Sequence, residues 1–154
     1  MDTDQDEELL FIGSRTNLLA YDVNNNADVF DYEVADGLNC LKCCTIEGID
    51  DRLVLAGGNC SITGLDREAE ERFWTVTGDN AQTMEMIDWD QDGTDELVVG
   101  SDDFAIRVFK GEELVFDINE ESKIRLVSVI EDNVFGICLE NGSYGVYYSR
   151  KRLW

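Results

Sequence analysis

The chain is 154 residues long, with 34 Asp and Glu against 12 Lys and Arg, a formal net charge of -22, and neither histidine nor proline. A field of that sign repels phosphate backbones and anionic lipid surfaces, so no nucleic-acid partner and no direct membrane insertion are expected, and no apolar run reaches the roughly eighteen residues that span a bilayer. Without histidine, Ser-His-Asp catalysis, Cys-His catalysis and every His-containing metal site are excluded.

Residues 1–8 are acidic, lack periodicity and are opposite in charge to a secretory leader, which predicts a disordered acidic tail on a cytoplasmic protein. Order is expected from Leu9. Leu9 to Gly13 reads as a buried strand, Ser14 to Asn17 as a polar turn, and Leu18 to Asp22 as a second strand. The chain turns again at Asn24 to Asn26, and Val29 to Val34 is a third strand. The next apolar segment, Leu38 to Ile46, holds Cys40 and Cys43 at Cys-x-x-Cys spacing. No second pair at ligand spacing completes a zinc site, so these two read as core thiols acting as small hydrophobes. With Cys44, Cys60 and Cys138 the count is five, an odd number that makes no disulfide framework.

The pattern of apolar strand, turn and strand recurs from Gly13, Gly57, Gly100 and Leu139, positions spaced 44, 43 and 39 residues apart. Each unit adds an aromatic-bearing strand, such as Phe73 to Val76, where Trp74 is expected in the core between units, or Leu114 to Ile118. In the third unit the strands read Thr83 to Ile87, Glu96 to Ser101, Phe104 to Phe109 and Glu113 to Ile118. Asn141-Gly142 is a hairpin signal, and Arg150, Lys151 and Arg152 read as a solvated strand end. A period of about forty residues with up to four short antiparallel strands is that of a propeller blade. The expected fold is therefore all-β, a β-propeller or propeller fragment over 9–154, with units at about 9–36, 37–79, 80–120 and 121–154. The first unit lacks an inner strand. Either the chain is a piece of a larger propeller, or something else covers its two open edges.

One connection carries chemistry. Asp88, Asp90 and Asp92 alternate ahead of Gly93, so their carboxylates can converge on one hard cation if the backbone curls. An EF-hand would need a bidentate Glu at the twelfth position, which is Val99, and the apolar run there belongs to a strand. The expected ligands are the side chains of Asp88, Asp90, Asp92 and Glu96 with the Thr94 carbonyl, and the expected ion is structural calcium. No catalytic residue and no other cofactor is expected. Trp89, inside this loop, fits either an exposed anchor or a packed loop residue.

Eight segments in order resemble the amino-terminal β-propeller of the Bardet-Biedl syndrome 2 family: Leu18 to Val23, Glu33 to Gly37, Gly57 to Cys60, Phe73 to Asn80, the acidic loop, Glu96 to Ser101, Phe104 to Lys110 and Asn141 to Tyr147. The acidic loop also resembles the FG-GAP repeats of integrin-type propellers at Asp88, Asp90, Asp92 and Glu96. The family resemblance implies a BBSome subunit, part of a coat-like complex that carries membrane-protein cargo into and out of cilia and works with an Arf-like GTPase. It implies a non-catalytic protein-interaction scaffold with other BBSome subunits and ciliary cargo as partners, placed in the cytoplasm, at the ciliary membrane and at the basal body. Family members are much longer, with further blades before and after this region and a coiled coil beyond. Two other readings are a calcium-dependent binding propeller of the integrin type, which calls for several acidic loops where one is present, and a carboxylate-based hydrolase drawing on Asp79, Asp88 or Asp102.

Overall fold

The structure is a computed structural model that describes residues 8–154, so the acidic tail expected over 1–8 lies, apart from Glu8, outside the described residues. Every regular element is a strand: β1 Leu9–Gly13, β2 Asn17–Asp22, β3 Ala27–Glu33, β4 Cys40–Thr45, β5 Arg52–Gly57, β6 Ser61–Leu65, β7 Glu71–Val76, β8 Ala81–Ile87, β9 Glu96–Ser101, β10 Ala105–Lys110, β11 Glu113–Asn119, β12 Ile124–Glu131, β13 Val134–Leu139, β14 Tyr144–Tyr148 and β15 Lys151–Arg152. No helix among these residues is long and apolar enough to cross a membrane.

Within each sheet consecutive strands pair antiparallel, because two to eight residues join each to the next and such short links cannot carry a parallel crossover. The result is four separate sheets, β1-β2-β3, β4-β5-β6-β7, β8-β9-β10-β11 and β12-β13-β14-β15. The first has three strands, and its β1 pairs directly with β2, setting Phe11 opposite Ala20.

The middle sheets are covered on both faces, which is why their central strands do not alternate. In β5, Leu53 and Leu55 pack toward the third sheet while Val54 and Ala56 pack toward the first. In β9, Leu97 and Val99 face the second sheet and Val98 faces the fourth. Among the described residues three apolar layers between the four sheets form the main core. Full burial of each Val, Leu, Ile or Phe contributes about 1.5–3 kcal/mol. Polar links register the layers: the Val127 amide donates to Thr83 Oγ1 at 3.2 Å, and Lys42 of β4 pairs with Glu85 of β8. Gly100 lets β9 and β12 come together, since a Cβ there would meet the Ile124 side chain.

The outward faces of the first and fourth sheets are open. On the fourth, Leu126, Cys138, Tyr144 and Tyr148 share one face, with Tyr144 71 % exposed. On the first, Leu10 and Ile12 lie opposite Tyr21 and Leu19 and are exposed.

Two expectations are corrected here. Trp74 is 51 % exposed and outside the core. In β7 the register sets Phe73 against Gly64, where a Cβ would come within 2.8 Å of both Phe73 Cβ and Leu55 Cδ2, and Phe73 and Thr75 turn inward while Trp74 turns out. The Cys-x-x-Cys pair is split by the pleat as well. Cys40 and Cys44 pack on the layer between the second and third sheets, while Cys43 is exposed, as are Cys60 and Cys138. Burial pushes the Cys40 thiol up to about 12 and the Cys44 thiol to about 11, the opposite of what thiolate chemistry requires.

Candidate functional site

The acidic loop joins β8 to β9 at one end of the third sheet. Its first half folds around its own carboxylates: the Asp92 amide donates to Asp88 Oδ1 at 3.1 Å and the Gly93 amide to Asp88 Oδ2 at 3.1 Å, while the Thr94 amide donates to Asp92 Oδ1 at 2.8 Å. Gly93 has φ +91 with nothing within 4 Å of a built Cβ, so glycine is needed for the turn and not for space. Gln91, at φ 63, takes the same left-handed region without that freedom.

Oxygens of Asp88, Asp90 and Glu96 lie within 4.8 Å of one another. Asp92 stands outside this set and shares a cation with Asp90 instead. That cation is the Lys110 ammonium, 2.7 Å from Asp90 Oδ2, bonded to Asp92, 3.4 Å from Glu96 Oε1 and 4.0 Å from Glu47. Asp90 first and Asp92 next hold the Lys110 amine well above its ordinary value, and Lys110 in turn holds the Asp92 carboxyl low.

Glu96 differs from its neighbours. It is 2 % exposed, and its Oε2 accepts the Trp89 amide at 2.7 Å. Its Oε1 is buried without a hydrogen-bond partner. Burial pushes this carboxyl up, against the pull of the Trp89 amide. All the donors are hard oxygens, the type that suits calcium or magnesium.

Trp89 is a packed loop residue, 2 % exposed. Its ring centroid is 4.8 Å from Phe116 and 6.0 Å from Phe135, which stacks on Tyr147 at 5.2 Å. The loop is thereby nailed to the layer between the third and fourth sheets. Tyr147 donates to Glu120, which also pairs with Arg152 at 3.3 Å, so Arg152 of the basic strand end is held by a carboxylate.

The hydrolase reading loses Asp88 as a partner of the other two acids. Asp88 lies at one end of β8, while Asp79 precedes it and Asp102 follows β9 at the other end. A seven-residue strand spans about 23 Å, which sets Asp88 too far from either of the other two for glycosidase carboxylates, which stand about 5–10 Å apart; Asp79 and Asp102 share one end, where Asn80 Nδ2 donates to Asp102 Oδ2 at 3.1 Å. Asp102 is besides ion-paired with Arg125 at 3.4 Å and Lys123 at 3.6 Å.

Lys110 was not among the residues expected at the loop. The signal for it is the hairpin register: Phe109 pairs with Leu97, which brings the next residue, Lys110, beside Glu96.

Up-and-down sheets of about four strands, packed face to face through apolar layers, define a segment of a β-propeller. Solved propellers agree. BBS1N in complex with ARL6DN, soaked with lead, superposes with TM-score 0.77 at 12 % identity, covering 96 % of this chain and 48 % of that one. The Neurospora crassa Pan2 WD40 domain gives TM-score 0.73 at 15 % identity, covering 97 % and 47 %. The sequence narrows the class: residues 1–44 match the N-terminal region, and residues 83–154 the middle region, of ciliary BBSome complex subunit 2. The chain is 45 % identical over 147 residues to the Homo sapiens BBSome complex member BBS2, covering 96 % of this chain. It belongs to that family, and it spans about a fifth of the length of the curated relatives it matches.

Proposed function

We propose that this chain is a non-catalytic scaffold segment of a BBSome subunit, working in the carriage of membrane-protein cargo to and from cilia. The observation that supports it most is the 45 % identity, sustained over 96 % of the chain, with a protein named as a BBSome member. Its partners are then the other BBSome subunits and, through them, ciliary cargo, at the cilium and basal body. The solved relative BBS1N is in complex with ARL6DN, and an Arf-like GTPase is by analogy a partner of the assembly as a whole.

The open sheet faces give the scaffold a physical means of joining. Covered faces in this fold carry Val, Leu, Ile and aromatic residues, and the uncovered face of the fourth sheet carries Leu126, Tyr144 and Tyr148. Its occupant is another antiparallel sheet of the same blade type, with an apolar face of the kind that β4 to β7 present to the first sheet. Mixing the purified chain with a BBSome preparation lacking this subunit, followed by gel filtration, tests the reading. Co-elution that is lost in Leu126→Asp combined with Tyr144→Asp supports it. Elution of the folded chain apart from the complex refutes it.

A further inference from the structure

The two open faces of the stack complement each other in charge. On the fourth sheet Leu126, Ile130, Tyr144 and Tyr148 are exposed on the outward side, and Lys151 of the outermost strand β15, exposed as well, pairs with Tyr148 and shares that side. Among the described residues Glu131, opposite Val134 at the end of β12, is the single carboxylate at an outward pairing position of this sheet. On the first sheet Leu10 and Ile12 of β1 and their partners Tyr21 and Leu19 of β2 make the outward side apolar. Its outermost strand, β3, adds carboxylates: Asp28 opposite Tyr21, Asp31 opposite Leu19 and Glu33 opposite Asn17. One open face is thus apolar with a cation on its outer strand, the other apolar with anions on its outer strand.

The curvature of the stack is a second, independent observation. Propellers close into rings, and this chain superposes on 48 % of BBS1N and 47 % of the Pan2 WD40 domain. Four sheets follow about half of each of those chains, so a second copy of the four supplies the other half.

We propose that, apart from the assembly, two copies of this chain join head to tail, the fourth sheet of each packing its outward face on the first sheet of the other, to close a ring of eight sheets. The joining rests on the scaffold reading of the fourth sheet's open face as a seat for another sheet. Within the chain the inner strands β4, β8 and β12 lie side by side. The same stacking between copies brings β15 against β3 and sets Lys151, at the start of β15, level with Asp28, at the start of β3. The face of a four-stranded sheet with six-residue strands measures about 20 by 20 Å, so one contact is small against the roughly 800 Å² per partner of a stable interface. A closed ring makes two such contacts for a single loss of translational and rotational freedom. The charge of -22 on each copy opposes the approach, and salt at about 0.15 M confines that field to about 8 Å, so the ring forms more completely there than at low salt.

The test is sedimentation equilibrium of the full chain at about 0.15 M salt, where a single dimeric species is expected. Leu10→Asp with Ile12→Asp on the first sheet, and Leu126→Asp with Tyr144→Asp on the fourth, should each give monomers, with circular dichroism showing that both are folded. Should either not fold, the charge pair decides: Lys151→Asp lowers the dimer fraction, and adding Asp28→Lys restores it. A monomer at every concentration, a dimer that survives the first-sheet substitutions, or species larger than a dimer overturns the proposal. A chain monomeric by itself that still co-elutes with the BBSome preparation refutes the ring and leaves the scaffold reading standing, and a dimer that never co-elutes does the reverse.

Discussion

Gly100→Ala tests the claim that inter-sheet contact is set by backbone proximity at β9 and β12. A Cβ at Gly100 would meet Ile124 Cγ2 and lie 2.9 Å from both Ile124 Cβ and Thr83 Cγ2, separations that real side chains do not adopt. Two terms oppose one another. Replacing glycine by alanine in a strand gains about 0.4–1 kcal/mol through the unfolded chain. Overpacking a core costs about 1–3 kcal/mol, and this site is at the upper end because the obstructing atoms sit on a β-branched side chain and on the backbone-proximal Thr83 Cγ2. The net expectation is a loss of about 2–2.5 kcal/mol, or a Tm lower by about 4–10 °C for a chain of this size. Gly136→Ala is the control. It lies in a strand too, but its nearest foreign atom would be 3.4 Å away at the flexible end of Ile130, so it should leave Tm unchanged or slightly raised. Melting followed by circular dichroism reads both. Equal Tm values for Gly100→Ala and the parent chain would refute the close approach.

Three more outcomes follow from the same packing. Trp89→Ala removes a buried ring and its two aromatic neighbours' contacts, a loss of about 3–5 kcal/mol in chemical denaturation, whereas Trp74→Ala, at an exposed site, should stay within about 0.5 kcal/mol. Equal effects of the two would mean that the strand parity is wrong. Acid should destabilise the fold through Asp36. Burial raises its carboxyl, but donors from the Cys60 amide, at 2.6 Å, and the Ser61 hydroxyl, at 2.9 Å, outweigh that and hold it below 3.8. The unfolded chain therefore takes up the proton first as pH falls. The stabilisation is complete above 3.8 and is lost as pH falls through the depressed value, so the Tm gap between the parent chain and Asp36→Asn should be wide at pH 6 and narrow steadily as pH falls below 3.8. A gap independent of pH would place the contribution elsewhere.

The sequence made the architecture legible wherever a strand is bounded by turn chemistry. The third unit was expected at Thr83 to Ile87, Glu96 to Ser101, Phe104 to Phe109 and Glu113 to Ile118, and its strands run Ala81–Ile87, Glu96–Ser101, Ala105–Lys110 and Glu113–Asn119. Sharp polar connections and β-branched runs decide these boundaries locally. Side-chain parity in an edge strand is not decided locally. Phe73 and Trp74 are adjacent aromatics, and which one is buried is set by their cross-strand register, with Phe73 opposite Gly64 and Trp74 opposite Thr63. The acidic loop was legible as a turn of converging carboxylates, because alternation and Gly93 are written side by side. The part played by Lys110 was not, since it reaches the loop from fourteen positions beyond Glu96 through the pairing of β9 with β10. Trp89 stood open between exposure and burial for a related reason: its neighbours Phe116 and Phe135 come from β11 and β13.

The most direct test of the scaffold account is affinity capture of the tagged chain from ciliated cells, with co-purifying proteins quantified by mass spectrometry against a tag-only control. Recovery of BBSome subunits in fixed proportion, reduced by Leu126→Asp with Tyr144→Asp, is the predicted result. Recovery of the folded chain with chaperones alone, or with no BBSome subunit above the control, would contradict it.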